Sequence, residues 1–446
     1  MQHNFDMTAG AKPNRAILLG AASAVATLLC TVVPRIGPLV VASGSLAFAI
    51  FGAALDVRET NGRARLLGIL RRPEMLFAAW ILVACLWAYS PLESLNEALF
   101  LAALIFHAVY LLTLPGTLSE PDVRAVSLGI LAGFLLGGIF VSYEILAHES
   151  IVRYVLTHFP GLERGVEKHA HISDGKIVAV SGNLRTRSSA VFVLFLCPAL
   201  LVAWRYTRGG LRWLVFVVVA AFCAVMVLSL NTQSQTAQVC ALVISVTLPL
   251  ALVLPRVTFW LIVAGFAVNL FLIVPIALSL YGSDMHKNEK VFPSAQARMI
   301  IWNYTAERVL ERPVLGVGTN STRHLDEERV RRGEVVHEKG LAAAPQTRAH
   351  PHNIYLQIWY ELGIVGVLAF ATLGFSLLGR IACLPSSIYP IALAHFAGCM
   401  ILIMPSYGLW QNWFQAVIVM STVGLVLIGR AQSGGSPNVT KLRAAP

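Results

Sequence analysis

The sequence predicts an all-α polytopic membrane protein of about twelve transmembrane helices, with a large helical loop outside the membrane between the ninth and tenth. Three observations carry this expectation. The 446 residues are 57% hydrophobic and only 13% charged, against about half and a quarter in a soluble domain. Mean hydropathy is +0.69. The apolar residues fall in long continuous runs, not in the alternating segments of about 10 residues that build a membrane β-barrel. This composition excludes a soluble enzyme, a disordered chain and a disulfide-rich secreted domain. The net charge of +11 needs separate explanation, because a bilayer-embedded chain cannot hold most of it.

With a window of about 19 residues, the apolar runs fall near 15–33, 38–55, 75–90, 96–114, 125–147, 188–204, 212–230, 235–254, 258–281, 354–379, 387–405 and 409–429. Each is close to the roughly 20 residues that one helix needs to cross. The first follows Lys12 and Arg15 and lacks a small-residue cleavage site, so it reads as an uncleaved span. The seven cysteines all lie in apolar runs without a Cys-x-x-Cys pair, and read as small buried hydrophobes.

Orientation follows from Lys and Arg in short loops. With the amino terminus in the cytoplasm, sixteen basic residues fall in inside loops and tails, while the short outside loops hold only Arg35. Both termini are therefore expected in the cytoplasm. The remaining seventeen basic residues lie in two long outside segments, 148–187 and 282–353, which also hold thirteen acidic residues. Long loops escape the positive-inside bias, and loops of this length are usually functional. The chain thus divides into spans one to nine (1–281, including the loop at 148–187), the large outside loop (282–353), spans ten to twelve (354–430) and a cytoplasmic tail (431–446). The two halves show no matching interrupted helices, which weakens a transporter reading.

In the large loop, Ser294 is placed to cap a helix ending before Pro313, with Met299, Trp302, Ala306, Val309 and Leu310 on one face. The turn Pro313-Val-Leu-Gly-Val-Gly318 could bring backbone close to a ligand. From His324 to Arg348 the loop is densely charged, either an internally ion-paired solvated helix or a docking surface for an anion. The loop ends at His350-Pro-His352-Asn353. A histidine at a membrane boundary can titrate near neutral pH and take a proton from a hydroxyl. His352 is the candidate base, with His350 and Asn353 beside it as candidate substrate-binding groups. Gly363 and Gly366 follow, three positions apart, and read as a close-packing face on the tenth helix.

The other long loop contributes Arg185 and Arg187 at the entrance to the sixth span. Arginine's planar fork suits phosphate oxygens. With Arg298 and the histidines, these residues could line an outward-facing site for a lipid diphosphate, with Gln235 at its border.

The stretch His352-Asn353, nine residues, Gly363, two residues, Gly366 resembles the signature of bacterial O-antigen ligases. Arg298-x-x-x-Trp302, followed by Pro313-x-x-Gly316-x-Gly318, resembles the outside-loop motif of the same family. The resemblance implies a metal-independent membrane glycosyltransferase of the GT-C type, without cofactor. It would sit in the bacterial inner membrane with its site facing the periplasm. It would move polysaccharide from undecaprenyl diphosphate to a lipid A–core hydroxyl, with membrane lipids around it and no nucleic-acid partner. By motif, His352 becomes the base and Arg298 a diphosphate-binding residue, with Arg187 or Arg185 as a second. At Ser234-Gln235 many members carry Ser-Arg, so one usual arginine is replaced here by Gln235. O-antigen polymerase is the same-class alternative, and a transporter of lipid-linked sugars the different-class one.

Overall fold

The computed structural model describes residues 12–43, 67–111, 119–159, 170–173, 176–180, 182–206, 213–230, 235–334, 350–405 and 407–430. In chain order its helices are α1 (Lys12–Val32), α2 (Glu74–Val83, continued as a 3₁₀ turn over Ala84–Trp87), α3 (Pro91–Leu111), α4 (Glu120–Leu146) and α5 (Ser150–His158). A hairpin of β1 (Ala170–Ser173) and β2 (Lys176–Val180) follows. Then come α6 (Gly182–Tyr206), α7 (Trp213–Ser229), α8 (Gln235–Val253), α9 (Pro255–Phe271), α10 (Ile273–Gly282), α11 (Pro293–Glu311), α12 (Thr322–Arg331), α13 (Ile354–Ala382), α14 (Tyr389–Ile403) and α15 (Asn412–Arg430).

Among the described residues, seven helices are long and apolar enough to cross a membrane. The pair α9 and α10, bent by 72° at Leu272, makes an eighth if it is one span, and α2 with its 3₁₀ turn, α7 and α14 are shorter apolar helices. The chain is a multi-pass helical membrane protein. Eleven of the twelve predicted runs coincide with these apolar helices; the run at 38–55 lies mostly outside the described residues.

The described residues are helical as an all-α membrane protein requires, with one short strand pair added in a loop. Ala170–Ser173 and Lys176–Val180 pair as two antiparallel strands. Ile177 and Val180 bury against Leu156 and Val152 of α5, and the Arg153 guanidinium donates to the Val178 carbonyl at 3.1 Å. A run this short inside a polar loop carries too little apolar alternation to register as strand.

Among the described residues the bundle has two large apolar cores. The first is built on α6, where every residue from 189 to 199 is buried. A helix apolar all round is one enclosed by other helices. Phe192 of α6 stacks on Phe134 of α4 at 4.4 Å. The second core is built on α13 and includes Phe77, Phe266, Tyr355, Tyr360 and Leu393. Gly129, Gly133 and Gly137 of α4, four positions apart, lie directly against Gly20, Ala24 and Thr31 of α1. Small residues at that spacing let two membrane helices approach closely.

Charges gather at one end of the bundle. Arg15 pairs with Asp122 at 3.4 Å, Arg380 with Glu74 at 2.5 Å, and Arg205 with Glu120. All three arginines belong to the predicted inside set. Arg187 stands on the same helix as Arg205, eighteen positions earlier (205 − 187), or about 27 Å along the axis at about 1.5 Å per residue. That is close to the thickness of the hydrocarbon core, so Arg187 marks the opposite end.

The tenth predicted span is not a straight helix. Gly363 adopts φ +62°, which breaks α13. The reading of Gly363 and Gly366 as one packing face of an unbroken helix is thereby corrected. In an intact helix the carbonyls of Tyr360, Glu361 and Leu362 would bond four residues on. Here the Val317 and Gly318 N–H groups donate to Tyr360 and Glu361 at 3.0 and 2.8 Å. The Trp80 indole donates to Leu362 at 3.1 Å, and the Ile364 N–H reaches back to the Pro313 carbonyl at 2.9 Å. A Cβ on Gly363 would collide with the Val314 carbonyl, and one on Gly316 would come within 2.5 Å of the Glu361 backbone. The glycines of the outside-loop turn therefore bring its backbone close to α13.

Candidate functional site

α11 begins with Pro293 at its first turn and ends at Glu311, before Pro313. Phe292 occupies the cap position assigned by sequence to Ser294. The Ser294 hydroxyl instead donates to Oε1 of Gln235 at 2.6 Å, and its carbonyl accepts from the Arg298 guanidinium at 3.2 Å. Trp302, Ala306 and Val309 are buried as the spacing predicts, whereas Leu310 is 60% exposed. Arg298 is half-buried and its Nε donates to the Pro405 carbonyl at 2.9 Å. These two bonds use two of its five N–H donors. Burial lowers its pKa from the ordinary arginine value.

The histidine turn is tightly specified. Asn353 caps α13: its Oδ1 accepts from the Tyr355 and Leu356 N–H groups at 3.0 and 3.2 Å. Its Nδ2 is buried without a partner among the described residues. His352, half-buried, adopts φ +51°, a left-handed conformation uncommon for a side chain of this size. Its carbonyl accepts from the Trp302 indole at 3.3 Å, and its N–H donates to Nδ1 of His350 at 3.1 Å. His350 is buried, and burial together with the neighbouring His352 pushes its pKa down to about 3. A neutral imidazole has one donor and one acceptor nitrogen. With Nδ1 accepting, Nε2 carries the proton and faces the Gln411 amide at 3.2 Å. The atom placed there is Gln411 Nε2, so a bond to a protonated His350 Nε2 requires the Gln411 amide turned over to present its oxygen. The two histidine rings lie 4.3 Å apart.

The segment from Pro405 to Trp413 collects these groups. Pro405 receives Arg298, Gln411 meets His350, and the Arg187 guanidinium lies over the Trp413 ring, 5.9 Å from its centroid. Gly408 lies flat on the His350 imidazole, where a Cβ would come within 2.9 Å. Gln235 joins the chain through Ser294. Arg187, Arg298, His350, His352 and Gln235 are thus linked through one short segment. The Arg185 side chain lies outside the described residues.

Sequence reasoning passes over this segment because it carries no charge. Its aromatic and amide side chains, Tyr407, Trp410, Gln411, Asn412 and Trp413, are the available signal. It also passes over Glu361, an acid within the tenth predicted span. Glu361 is fully buried and accepts from Asn320 N, Thr322 N, Thr322 Oγ1, Gln357 Nε2 and Trp410 Nε1 at 2.5–3.3 Å. Gln357 also accepts from the Leu409 N–H at 2.8 Å. One carboxylate thereby ties together the outer loop, α13 and the 405–413 segment.

The charged stretch of α12 is an ion-paired helix. Arg323 pairs with Glu327 at 2.9 Å, Arg329 with Glu311 at 2.9 Å, and Arg332 with Glu328. Tyr304 donates to the buried Asp326 at 3.1 Å and locks α12 onto α11. Among the described residues no cluster of His, Cys, Asp and Glu could hold a metal ion.

Residues 229–371 match the family model described as O-antigen ligase. That match contains Gln235, Arg298, His350, His352, Asn353 and Glu361. The protein named "Putative polysaccharide ligase" of Rickettsia prowazekii strain Madrid E is 24% identical over 357 residues, covering 77% of this chain and 76% of its own. Its namesake in Rickettsia typhi strain Wilmington is 27% identical over 352 residues, with 77% and 76% covered. A shorter match, 36% over 127 residues and 27% of this chain, is to the namesake in Rickettsia conorii strain Malish 7. The chain, a multi-pass helical bundle, is thus similar to the O-antigen ligase family over residues 229–371 and to proteins named putative polysaccharide ligase along three quarters of its length.

Proposed function

We propose that this protein is an O-antigen ligase of the GT-C type. It transfers polysaccharide from undecaprenyl diphosphate to a lipid A–core sugar hydroxyl at the periplasmic face of the inner membrane. The observation that carries the reading is the convergence of Arg187, Arg298 and the His350–His352 turn, from three distant stretches of chain, on residues 405–413.

The chemistry follows from charge. As the bond from the anomeric carbon to the diphosphate breaks, negative charge grows on the phosphate oxygens. Arg298 and Arg187 can stabilise it, and losing one such donor typically costs about 10²–10³ in rate. The acceptor hydroxyl gives its proton to the His352 imidazole as its oxygen attacks. A base of this kind contributes about 10²–10⁴. A single displacement inverts the anomeric configuration. Gln235 cannot supply charge at the position where the family resemblance implies an arginine, so Arg187, with Arg185 nearby in sequence, takes that role.

A transporter reading has less support. At the break in α13 the freed carbonyls are bonded by loop backbone and Trp80, not left open to a substrate.

The test is transfer of lipid-linked polysaccharide to lipid A–core by purified protein in detergent. His352→Ala is expected to lower the rate about 10²–10⁴-fold with the fold intact. Unchanged transfer would sink the mechanism. In cells, loss of the protein should leave bare core; single repeat units on core would instead identify a polymerase.

A further inference from the structure

Resting on that reading, we propose that His350 is a positioning residue: a buried link from the Gln411 amide through the His350 imidazole to the His352 backbone N–H fixes the base for attack. A left-handed backbone is strained at a residue with a side chain. Such strain persists only where the surroundings over-determine it. At His352 both backbone polar groups are held by side chains, the N–H by His350 Nδ1 at 3.1 Å and the carbonyl by Trp302 Nε1 at 3.3 Å. Asn353 fixes the next residue as a helix cap. The aim of the His352 ring is therefore set by its backbone.

His350 is itself immobilised. It is 7% exposed, Gly408 lies against its face, Pro351 follows it, and Nε2 is engaged by Gln411. With both ring nitrogens committed, it cannot touch substrate without releasing His352. A residue misplacing a reactive group by about 1 Å can cost about 10²-fold without touching substrate. The link also couples the base to the segment that receives Arg298 and Arg187, so base and diphosphate-binding groups share one reference.

Two isosteres separate the nitrogens. Asparagine places an oxygen where Nδ1 stands and readily bonds the backbone N–H two residues on. Glutamine places its amide where Nε2 stands. In the detergent assay His350→Ala is expected to lower kcat about 10²-fold, with KM for donor and acceptor unchanged. His350→Asn should recover to within about tenfold of wild type, and His350→Gln should not, since only asparagine restores an acceptor for the His352 N–H. A raised KM with unchanged kcat would make His350 a substrate-binding group and overturn the proposal, as would full activity in His350→Ala. If the alanine variant does not fold, as judged by gel filtration, equal rates for the asparagine and glutamine variants overturn it. His352→Ala separates the two levels. If it too is fully active, the ligase mechanism itself fails; if it is inactive while His350→Ala is not, only the positioning role fails.

Discussion

α6 and α13 each organise one core of the bundle, and they do so by opposite means. α6 is buried all round over residues 189–199 and there packs its neighbours through apolar contacts, as in the Phe192–Phe134 stack. α13 is broken at Gly363, contains a buried carboxylate, and holds its neighbours by hydrogen bonds to backbone it has freed. A helix that is continuous, as α6 is apart from the missing N–H of Pro198, satisfies nearly all of its own backbone and offers the rest of the fold mainly side chains. A broken one must recruit partners, and so draws an outer loop into fixed register with the membrane core. The candidate base sits one residue before the cap of the broken helix, while α6 contributes Arg187 near its first turns.

Three substitutions break or sharpen that contrast. Gly363→Ala should have the largest effect. The new Cβ meets the Val314 carbonyl and the backbone is left-handed, which alone costs about 1–2 kcal/mol. Loop docking and transfer should disappear together, read as a lowered melting temperature and absent ligation. Phe192→Ala empties part of the α6 core and should cost about 3–5 kcal/mol of stability, while kcat per folded molecule stays unchanged. A matching fall in kcat would show that the two cores are not independent. Glu361→Gln keeps the shape but turns a donor toward Asn320, Thr322 or Trp410. An unsatisfied buried group costs about 1–3 kcal/mol, and loosening of the 405–413 segment should lower kcat more than it raises KM. An effect on stability alone would confine Glu361 to a role in the fold.

Much of this architecture is legible in the sequence, because membrane helices announce themselves by length and hydropathy. The positions of His352, Arg298 and Arg187 can be read from residue type and motif. The bend at Leu272 and the break at Gly363 cannot, since both lie within apolar runs and change no window average. Gly363 and Gly366 at i and i+3 look alike in one dimension; only the docked turn shows that one breaks the helix while the other packs on Trp80. The 405–413 segment escapes notice because a search by charge ignores amides and indoles. Ser294 shows the limit of local rules: a plausible cap gives way to a tertiary bond with Gln235, fifty-nine positions away (294 − 235).

The break in α13 also constrains how the protein is made. Three carbonyls, those of Tyr360, Glu361 and Leu362, have no partner within their own helix and would face hydrocarbon if that helix entered the bilayer alone. Each such group costs several kcal/mol there. Their partners, Trp80 and residues 317–318, are all synthesised earlier. The tenth helix therefore reaches its final form only against chain already in place, and the outer loop acts as a template within the same molecule for the segment that follows it.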